Sequence, residues 1–246
     1  MINVTVWNEN IHEKDPNYKD TLLVHYPNGI HNAIADFLNK DENITAITAT
    51  QEMPEHGLTD EVLNNTDVLF WWGHVGHNDV DDAIVEKVHN RVLEGMGLVV
   101  LHSGHYSKIF KKINGTSCAL RWRETEKDRE RVWTMAPAHP IAEGLPEYFD
   151  IPKTEMYGET FNIARPDDVV FMSWYAGGEI FRSGVTFTRG KGKIFYFSPG
   201  HETFPIYKMP EVQLILTNAA KWAKPAKNTN WPMITCLGMV ESPEFK

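Results

Sequence analysis

Apolar residues in the first half of the chain fall into short runs separated by segments of helical spacing. Four runs are rich in β-branched and aromatic residues and predict buried β-strands, at 2–7, 44–50, 67–74 and 97–101. Three segments between them have the apolar spacing of amphipathic helices, at 25–40, 58–66 and 80–95. Strands that alternate with helices predict βαβ crossovers. The predicted fold class is therefore α/β, with a doubly wound, mostly parallel sheet and helices on both faces.

The pattern changes after about residue 108. Residues 108–115 continue as a helix, and 115–165 contains four prolines and predicts a loop-rich region. Residues 167–201 then predict successive strands, with a hairpin turn at 188–193. A closing helix is predicted over 211–223.

The chain shows no internal repeat and no obvious linker, so a single domain over 1–223 is the simplest organisation. A Pro-containing C-terminal extension follows over 224–246. The extension either packs on the surface of the domain or docks on a second subunit. Together with the aromatic content of the chain, the second alternative favours a homo-oligomer.

Composition narrows the class of function. The net charge of −9 argues against a nucleic-acid partner, which would require a basic face. No apolar run approaches the length of a membrane helix, and the first residues do not have the pattern of a signal peptide. The two cysteines show no metal-ligand spacing and no disulfide framework. We therefore expect a cytoplasmic protein that acts on a small molecule.

Candidate chemistry lies where the predicted strands end, because ligands of open parallel sheets bind at the carboxyl ends of the strands. Histidine, serine, amide or carboxylate residues follow four of these strands: Asn8 and Glu9; His74 and His77; His102, Ser103 and His105; His201 and Glu202. If the sheet brings these ends together, they form one cleft with several imidazoles and at least one acid.

The cluster His102–His105 (HSGH) leaves several chemistries open. Ser103 lacks the flanking glycines of a nucleophile elbow, because Leu101 and His105 occupy those positions. No glycine-rich phosphate loop follows a strand, so a nucleotide cofactor has no support. Imidazoles with a carboxylate suit a divalent metal, zinc above all, with His102, His105 and His201 as candidate ligands. The alternative is acid–base catalysis by His102, His201, Glu9 and Glu202, with Ser103 beside them.

Residues in later loops are candidates for substrate binding. The segment EMYGE places the carboxylates of Glu155 and Glu159 on either side of Tyr157. Arg121 belongs to a mixed-charge segment that is either a solvated surface or a source of one side chain for the site. Tyr106 and Trp122 offer flat faces for sugar rings. Asn8, His74 and His77 complete this group. A thiol-dependent hydrolase would need Cys118 beside His201.

Several segments together resemble the trehalose-utilisation, ThuA-like family: WNENIHEK, HYPNGIHNAIADFL, FWWGH, LHSGHYSKIFKKINGTSCALRWRE, AHPIAEGL, EMYGE and IFYFSPGHETFP. The resemblance spans roughly 2–223. It implies a flavodoxin-like fold similar to class I glutamine amidotransferases. His102 stands where those enzymes carry the nucleophilic cysteine, and His201 falls at the position of their triad histidine. Glu202 follows that histidine directly, which leaves the triad acid uncertain. The resemblance therefore implies the fold without glutamine hydrolysis.

The family is linked with the catabolism of trehalose and related disaccharides, alongside a dehydrogenase that makes 3-keto sugars. The resemblance thus implies isomerase, lyase or hydrolase chemistry on a disaccharide or its 3-keto derivative. That chemistry would be acid–base or metal-assisted. The competing hypothesis is a non-catalytic sugar- or metabolite-binding regulator on the same scaffold. Convergence of His102, His201 and a carboxylate would favour the enzyme, and dispersed histidines would favour the regulator.

Overall fold

A computed structural model describes residues 1–125 and 128–226. Its strands, in chain order, are β1 Ile2–Asn8, β2 Ile44–Thr50, β3 Val68–Trp72, β4 Gly97–Leu101, β5 Arg121–Arg123, β6 Glu130–Thr134, β7 Tyr148–Ile151, β8 Met156–Gly158, β9 Asp168–Tyr175, β10 Ile180–Arg189 and β11 Gly192–Phe197. Its α-helices are α1 Lys19–His25, α2 Ile30–Leu38, α3 Asp60–Asn64, α4 Asp82–Glu94, α5 Lys108–Asn114 and α6 Pro210–Ala223. The extension predicted over 224–246 lies outside the described residues from position 227 onward.

The central sheet confirms the predicted α/β class. Its strand order is β2-β1-β3-β4-β11-β10-β9-β6-β7, and the first five of these strands are parallel. The four strands predicted from apolar runs form most of this parallel half. β3 and β4 are buried along their whole length, as expected of strands with helices on both faces. The order is that of a flavodoxin-like doubly wound sheet.

The predicted loop-rich region 115–165 also contains four short strands that the sequence patterns missed. This stretch contributes β6 and β7 to an antiparallel half of the sheet, and β5 and β8 to a separate two-stranded sheet. The error has a physical cause. These strands have only three to five residues, and β5, β6 and β7 carry charged side chains, so none of the four has the apolar run that identifies a buried strand. The predicted hairpin turn is confirmed, since Arg189 of β10 pairs with Gly192 of β11.

The helices follow the apolar periodicity, with shifted boundaries. The helix predicted over 25–40 begins only at Ile30, after Gly29 with φ of +85°. α1, which precedes it, was not predicted from the sequence. The Thr59 side chain caps α3 by accepting a hydrogen bond from the Val62 backbone N–H. Gly95 ends α4 with φ of +130°, a conformation that favours glycine.

Two apolar layers hold the sheet between the helices. α2 and α6 cover one face, where Ile34, Leu38 and Leu216 are buried. α4 and α5 cover the other, where Val88 and Phe110 are buried. Burial on both faces fixes the strands, so the loops at their carboxyl ends rest on a rigid support. None of the helices in 1–125 and 128–226 is long and apolar enough to cross a membrane.

Candidate functional site

A cavity of about 570 Å³ lies beyond the carboxyl ends of β1, β3, β4 and β11. This size falls within the range of small-molecule sites. Its lining includes five histidines and three glutamates: His12, His74, His77, His105, His201, Glu124, Glu155 and Glu202. Tyr18, Tyr106, Trp122 and Tyr157 add aromatic faces. Most of the strand-end residues predicted to form a cleft therefore line one cavity, whereas Asn8, Glu9 and His102 are not among its lining residues.

His102 occupies a sharp turn directly after β4. Its φ is +49°, in the left-handed region that side chains other than glycine seldom adopt, and it is only 1% exposed. The short helical turn His102–Tyr106 leads to Ser107, whose side chain caps α5 by accepting a hydrogen bond from Phe110 N–H. Strained positions of this kind persist where the surrounding structure fixes them, and they cluster at functional sites.

Two contacts fix the orientation of the His102 ring. Its Nδ1 atom lies 2.9 Å from the carbonyl oxygen of Ser198, and because a carbonyl only accepts, Nδ1 carries a proton. The Nε2 atom faces Glu155 Oε2 at 3.2 Å, and the ring stacks on Tyr157 with 5.0 Å between centroids. Burial opposes the charged imidazole, but the Glu155 carboxylate raises the pKa of His102 overall. A proton or a cation between the two groups satisfies both.

His74 and His201 complete a group of four around His102. The ligand atoms of His74, His102, His201 and Glu155 all lie within 4.8 Å of one another. The His74 ring lies parallel to that of His102 at 6.0 Å, and the His201 ring lies edge-on to His102 at 5.4 Å. The chain thus brings together imidazoles from the ends of three strands and one carboxylate from the loop before β8.

The electrostatics keep two of these imidazoles neutral. Burial lowers the pKa of His74 to about 3 and that of His201 to about 2, and the neighbouring imidazoles add to both shifts. A neutral imidazole is the form that binds a metal ion. His201 Nδ1 lies 2.8 Å from the hydroxyl of Thr203, which holds the ring in place. Contacts of this kind at the second ring nitrogen are typical of metal-binding histidines.

The four residues fit a divalent metal. Three imidazole nitrogens and one carboxylate oxygen match the donor set and coordination number of zinc. His74 Nδ1 is buried and lacks a hydrogen-bond partner within 1–125 and 128–226. Such atoms call for a partner, which a metal ion would supply. Compared with the predicted ligands, the group contains His74 and Glu155 and leaves out His105, whose Nδ1 lies 2.8 Å from the Cys118 carbonyl oxygen.

The Glu9 carboxylate stabilises the loop that follows β3. Its carboxylate accepts hydrogen bonds of 2.9 Å from the backbone N–H groups of both Val75 and Gly76, in the loop after β3. Burial opposes ionisation, but the contacts with His12 and with these N–H groups lower the pKa of Glu9 overall. The carboxylate is therefore charged and holds the loop that carries His74. It does not line the cavity described above.

Ser103, predicted at the turn after β4, and His77, predicted after β3, both line the cavity. The Ser103 hydroxyl donates a 2.8 Å hydrogen bond to the Gly73 carbonyl, so it connects the two loops. Burial lowers the pKa of His77 to about 4, which keeps this cavity-lining ring neutral. Tyr106 and Trp122 are 47% and 64% exposed and lie at the cavity rim.

Three residues predicted to bind substrate do not line the cavity. The Asn8 amide donates to Glu13 at 2.6 Å. Glu159 accepts from the Arg182 guanidinium at 2.8 Å, an ion pair outside the cavity lining. Arg121 is an exposed residue of β5 that also lies outside the lining. The Cys118 thiol contacts the Phe110 carbonyl oxygen, and burial raises its pKa, which does not suit a nucleophile.

His12 is a cavity residue that the sequence patterns missed. It is 3% exposed, and its ring nitrogens lie 3.7 Å from Glu9 Oε1 and from Glu202 Oε1. Burial opposes its charged form, but these carboxylates raise the pKa of His12 overall. His12 belongs to WNENIHEK, one of the segments that carry the family resemblance. Because His12 is in a loop, neither periodicity nor a strand end singled it out.

Comparisons with known proteins agree with this fold. The fold and the cavity at its strand ends are those of a doubly wound α/β protein. The family model described as trehalose utilisation, ThuA, matches residues 3–223, so the chain belongs to the ThuA family. A search of curated proteins finds none that matches.

Three solved structures share the fold. A protein of Bacteroides uniformis described as ThuA-like is 15% identical over 90% of each chain, with a TM-score of 0.64. One of Parabacteroides merdae, also described as ThuA-like, is 14% identical over 90% of this chain and 89% of that one, with a TM-score of 0.63. A protein of Salmonella typhimurium, named as cytoplasmic, is 16% identical over 91% and 99%, with a TM-score of 0.58.

Proposed function

We propose that this chain is a cytoplasmic enzyme of disaccharide utilisation that carries out acid–base, metal-assisted chemistry on a disaccharide or its 3-keto derivative. The observation that carries the proposal is the convergence of His74, His102, His201 and Glu155 within 4.8 Å beside a polar cavity. A non-catalytic binding protein has no need to gather imidazoles with strongly shifted pKa values around one carboxylate. The family's description as trehalose utilisation supports the sugar as substrate class.

The proposed metal ligands are His74, His102, His201 and Glu155. A bound divalent ion would act as a Lewis acid on a substrate carbonyl. The chain's own residues orient these ligands, since Ser198 and Thr203 hold the Nδ1 atoms of His102 and His201. The Nε2 atoms of His102 and His201 are therefore available to bind the metal ion.

Glu202 is the proposed base. It lines the cavity, it is only 1% exposed, and its Oε2 atom has no hydrogen-bond partner in the described part of the chain. Burial raises the pKa of its carboxyl, which brings it closer to the range useful for proton transfer near neutral pH. In a 3-keto sugar the keto group acidifies the adjacent C–H, and Glu202 would take and return that proton.

The cavity also suits a sugar in shape and polarity. Trp122 and Tyr106 offer flat faces at the rim, and the interior presents histidines and carboxylates for hydroxyl groups. Glutamine hydrolysis is not proposed, because the elbow residue is His102 and an imidazole cannot form the thioester of an amidotransferase. Cys118 is buried against the Phe110 carbonyl, and Cys236 lies outside the described residues.

Deuterium exchange tests the proposal. The full chain, loaded with one equivalent of zinc, is incubated with 3-keto-trehalose in D₂O, and loss of the proton next to the carbonyl is followed by NMR together with any later product. We expect exchange in the wild type and a loss of about 10²–10⁴-fold in Glu202→Gln. His89→Gln, on α4 and away from the cavity, is the control. Saturable sugar binding with neither exchange nor turnover would instead support the regulator.

A further inference from the structure

A second set of metal-ligating side chains lies in the same cavity. The ligand atoms of His12, His74 and Glu202 lie within 4.8 Å of one another. This set shares only His74 with the proposed metal ligands. It joins the loop after β1, the loop after β3 and the loop after β11, so three separate segments of the fold converge on it.

Unpartnered atoms in this set point to a ligand. His74 Nδ1 and Glu202 Oε2 are buried and make no hydrogen bond within the described ranges 1–125 and 128–226, and His12 Nε2 faces the Glu202 carboxylate at 3.7 Å. Burying a polar atom without a partner costs free energy, and native proteins seldom leave several such atoms together. A cation bound among these three side chains would give the buried carboxylate a counter-charge and the imidazoles a partner.

The surroundings of His12 resemble the outer contacts of a metal-binding histidine. Glu9 Oε1 lies 3.7 Å from Nδ1, and the Glu9 carboxylate is itself fixed by the Val75 and Gly76 N–H groups. On the other side of the ring, Nε2 faces Glu202 Oε1 at 3.7 Å. A carboxylate, a histidine and then a metal form a common series that orients the ring and raises its basicity.

We propose that His12, His74 and Glu202 form a second site for a divalent cation, occupied together with the site formed by His74, His102, His201 and Glu155. Two imidazoles and a carboxylate suit zinc, cobalt(II) and similar ions of intermediate softness. His74 is the common ligand: a neutral imidazole has one free lone pair, so to serve both cations His74 would release its N–H proton to solvent and bind one cation with each nitrogen as an imidazolate.

Two neighbouring cations define a substrate class. They favour a ligand with two adjacent oxygens, such as a ketone beside a hydroxyl group, because each oxygen can approach one cation. This inference rests on the proposed function, since it concerns the same cavity and refines its substrate to an α-hydroxy ketone. Glu202 would then be a ligand when the second cation is bound, and its role as base would belong to the form with a single cation.

Cation stoichiometry tests the second site. Zinc and cobalt(II) are titrated separately into the metal-free full chain, followed by calorimetry and by elemental analysis after gel filtration. We expect two ions per chain in the wild type. His12→Asn and Glu155→Gln should each retain one ion, because each removes a ligand of a different site. His74→Asn should weaken both ions by at least about 10-fold. His89→Gln, the matched histidine control, should retain two.

The outcomes separate the two proposals. One ion in the wild type, unchanged in His12→Asn, would overturn the second site and leave the proposed function intact. Two ions with no exchange on keto sugars would support the second site and contradict the proposed function. If His12→Asn does not fold, Glu202→Gln decides, because it keeps the shape of the side chain. Retention of two ions by folded Glu202→Gln would overturn the second site.

Discussion

The Nε2 atom of His102 lies 3.2 Å from Oε2 of Glu155, and both side chains are buried. His102 follows a strand of the parallel half of the sheet, and Glu155 precedes a strand of the small separate sheet. Their contact therefore connects the turn after β4 to a loop from a different part of the fold. Removing one partner leaves the other buried without a counter-charge, which is costly in a protein interior.

Glu155→Gln should remove the negative charge while keeping the shape of the side chain. Because that carboxylate raises the pKa of His102, we expect the pKa of His102 to fall in the variant. We also expect zinc affinity to fall by at least about 10–100-fold. NMR titration of the histidine ring protons and competition with a chelator measure the two effects. The control is Glu159→Gln, which lies outside the cavity; equal losses in both variants would contradict the assignment.

Ser103→Ala separates a structural hydroxyl from a nucleophile. Because Ser103 Oγ donates to the Gly73 carbonyl, its loss should destabilise the fold by about 1 kcal/mol. Turnover of a keto sugar should fall by less than about 10-fold, since the loop shifts little. Urea unfolding and the deuterium-exchange rate measure these quantities. Complete loss of activity in a stably folded Ser103→Ala protein would instead identify a serine nucleophile.

Trp122→Ala tests the aromatic rim. The side chain is 64% exposed and lies at the mouth of the cavity, so its removal should change stability by less than about 0.5 kcal/mol. If its ring stacks on a sugar, KM should rise by about 10-fold while kcat changes little. Tyr148→Ala, another exposed aromatic outside the cavity lining, is the control. Equal KM values in wild type and Trp122→Ala would exclude this contact.

Acid should destabilise the metal-free protein through its buried neutral histidines. Burial lowers the pKa of His105 to about 3 and that of His77 to about 4, from 6.5 in the unfolded chain. Between those values the unfolded chain binds more protons than the folded one, so stability falls as the pH falls below about 6.5. Each such histidine contributes a slope of up to about 1.4 kcal/mol per pH unit.

His105→Gln checks the contribution of one of these histidines. Urea unfolding in the presence of a chelator, at several pH values from 7 to 5, gives the dependence of the free energy of unfolding on pH. The variant should be less stable at pH 7, because it changes the contact with the Cys118 carbonyl, but its stability should fall less steeply with acid. An unchanged slope would show that His105 is not buried in its neutral form.

The sequence predicted the parallel half of the fold because its strands and helices have long, distinct apolar periods. β3 and β4 are continuous apolar runs, and α4 has both a regular stripe and a glycine stop. The antiparallel strands β6 and β7 were not predicted, because they are short and charged side chains interrupt their apolar residues. β6 pairs with β9, a partner distant in sequence, and β7 pairs with β6, so local patterns do not reveal their place in the sheet.

The sequence predicted those residues of the candidate site that directly follow a strand. His74, His102, His201 and Glu202 each follow a strand of the parallel half, so the rule for α/β sheets located them together. The sequence also marked Glu155 as a candidate, but its contact with His102 depends on how a long connection folds back. His12 lies in a loop whose course is set by tertiary contacts. Loop residues of this kind require the structure.

Anomalous diffraction at the zinc edge, from crystals of the full chain grown with zinc, tests the metal centre most directly. We expect a peak within bonding distance of His102 Nε2, with His74, His201 and Glu155 as the other ligands, and its loss in Glu155→Gln crystals. A cavity with no anomalous peak, while zinc appears only at exposed carboxylates, would contradict the proposed metal centre.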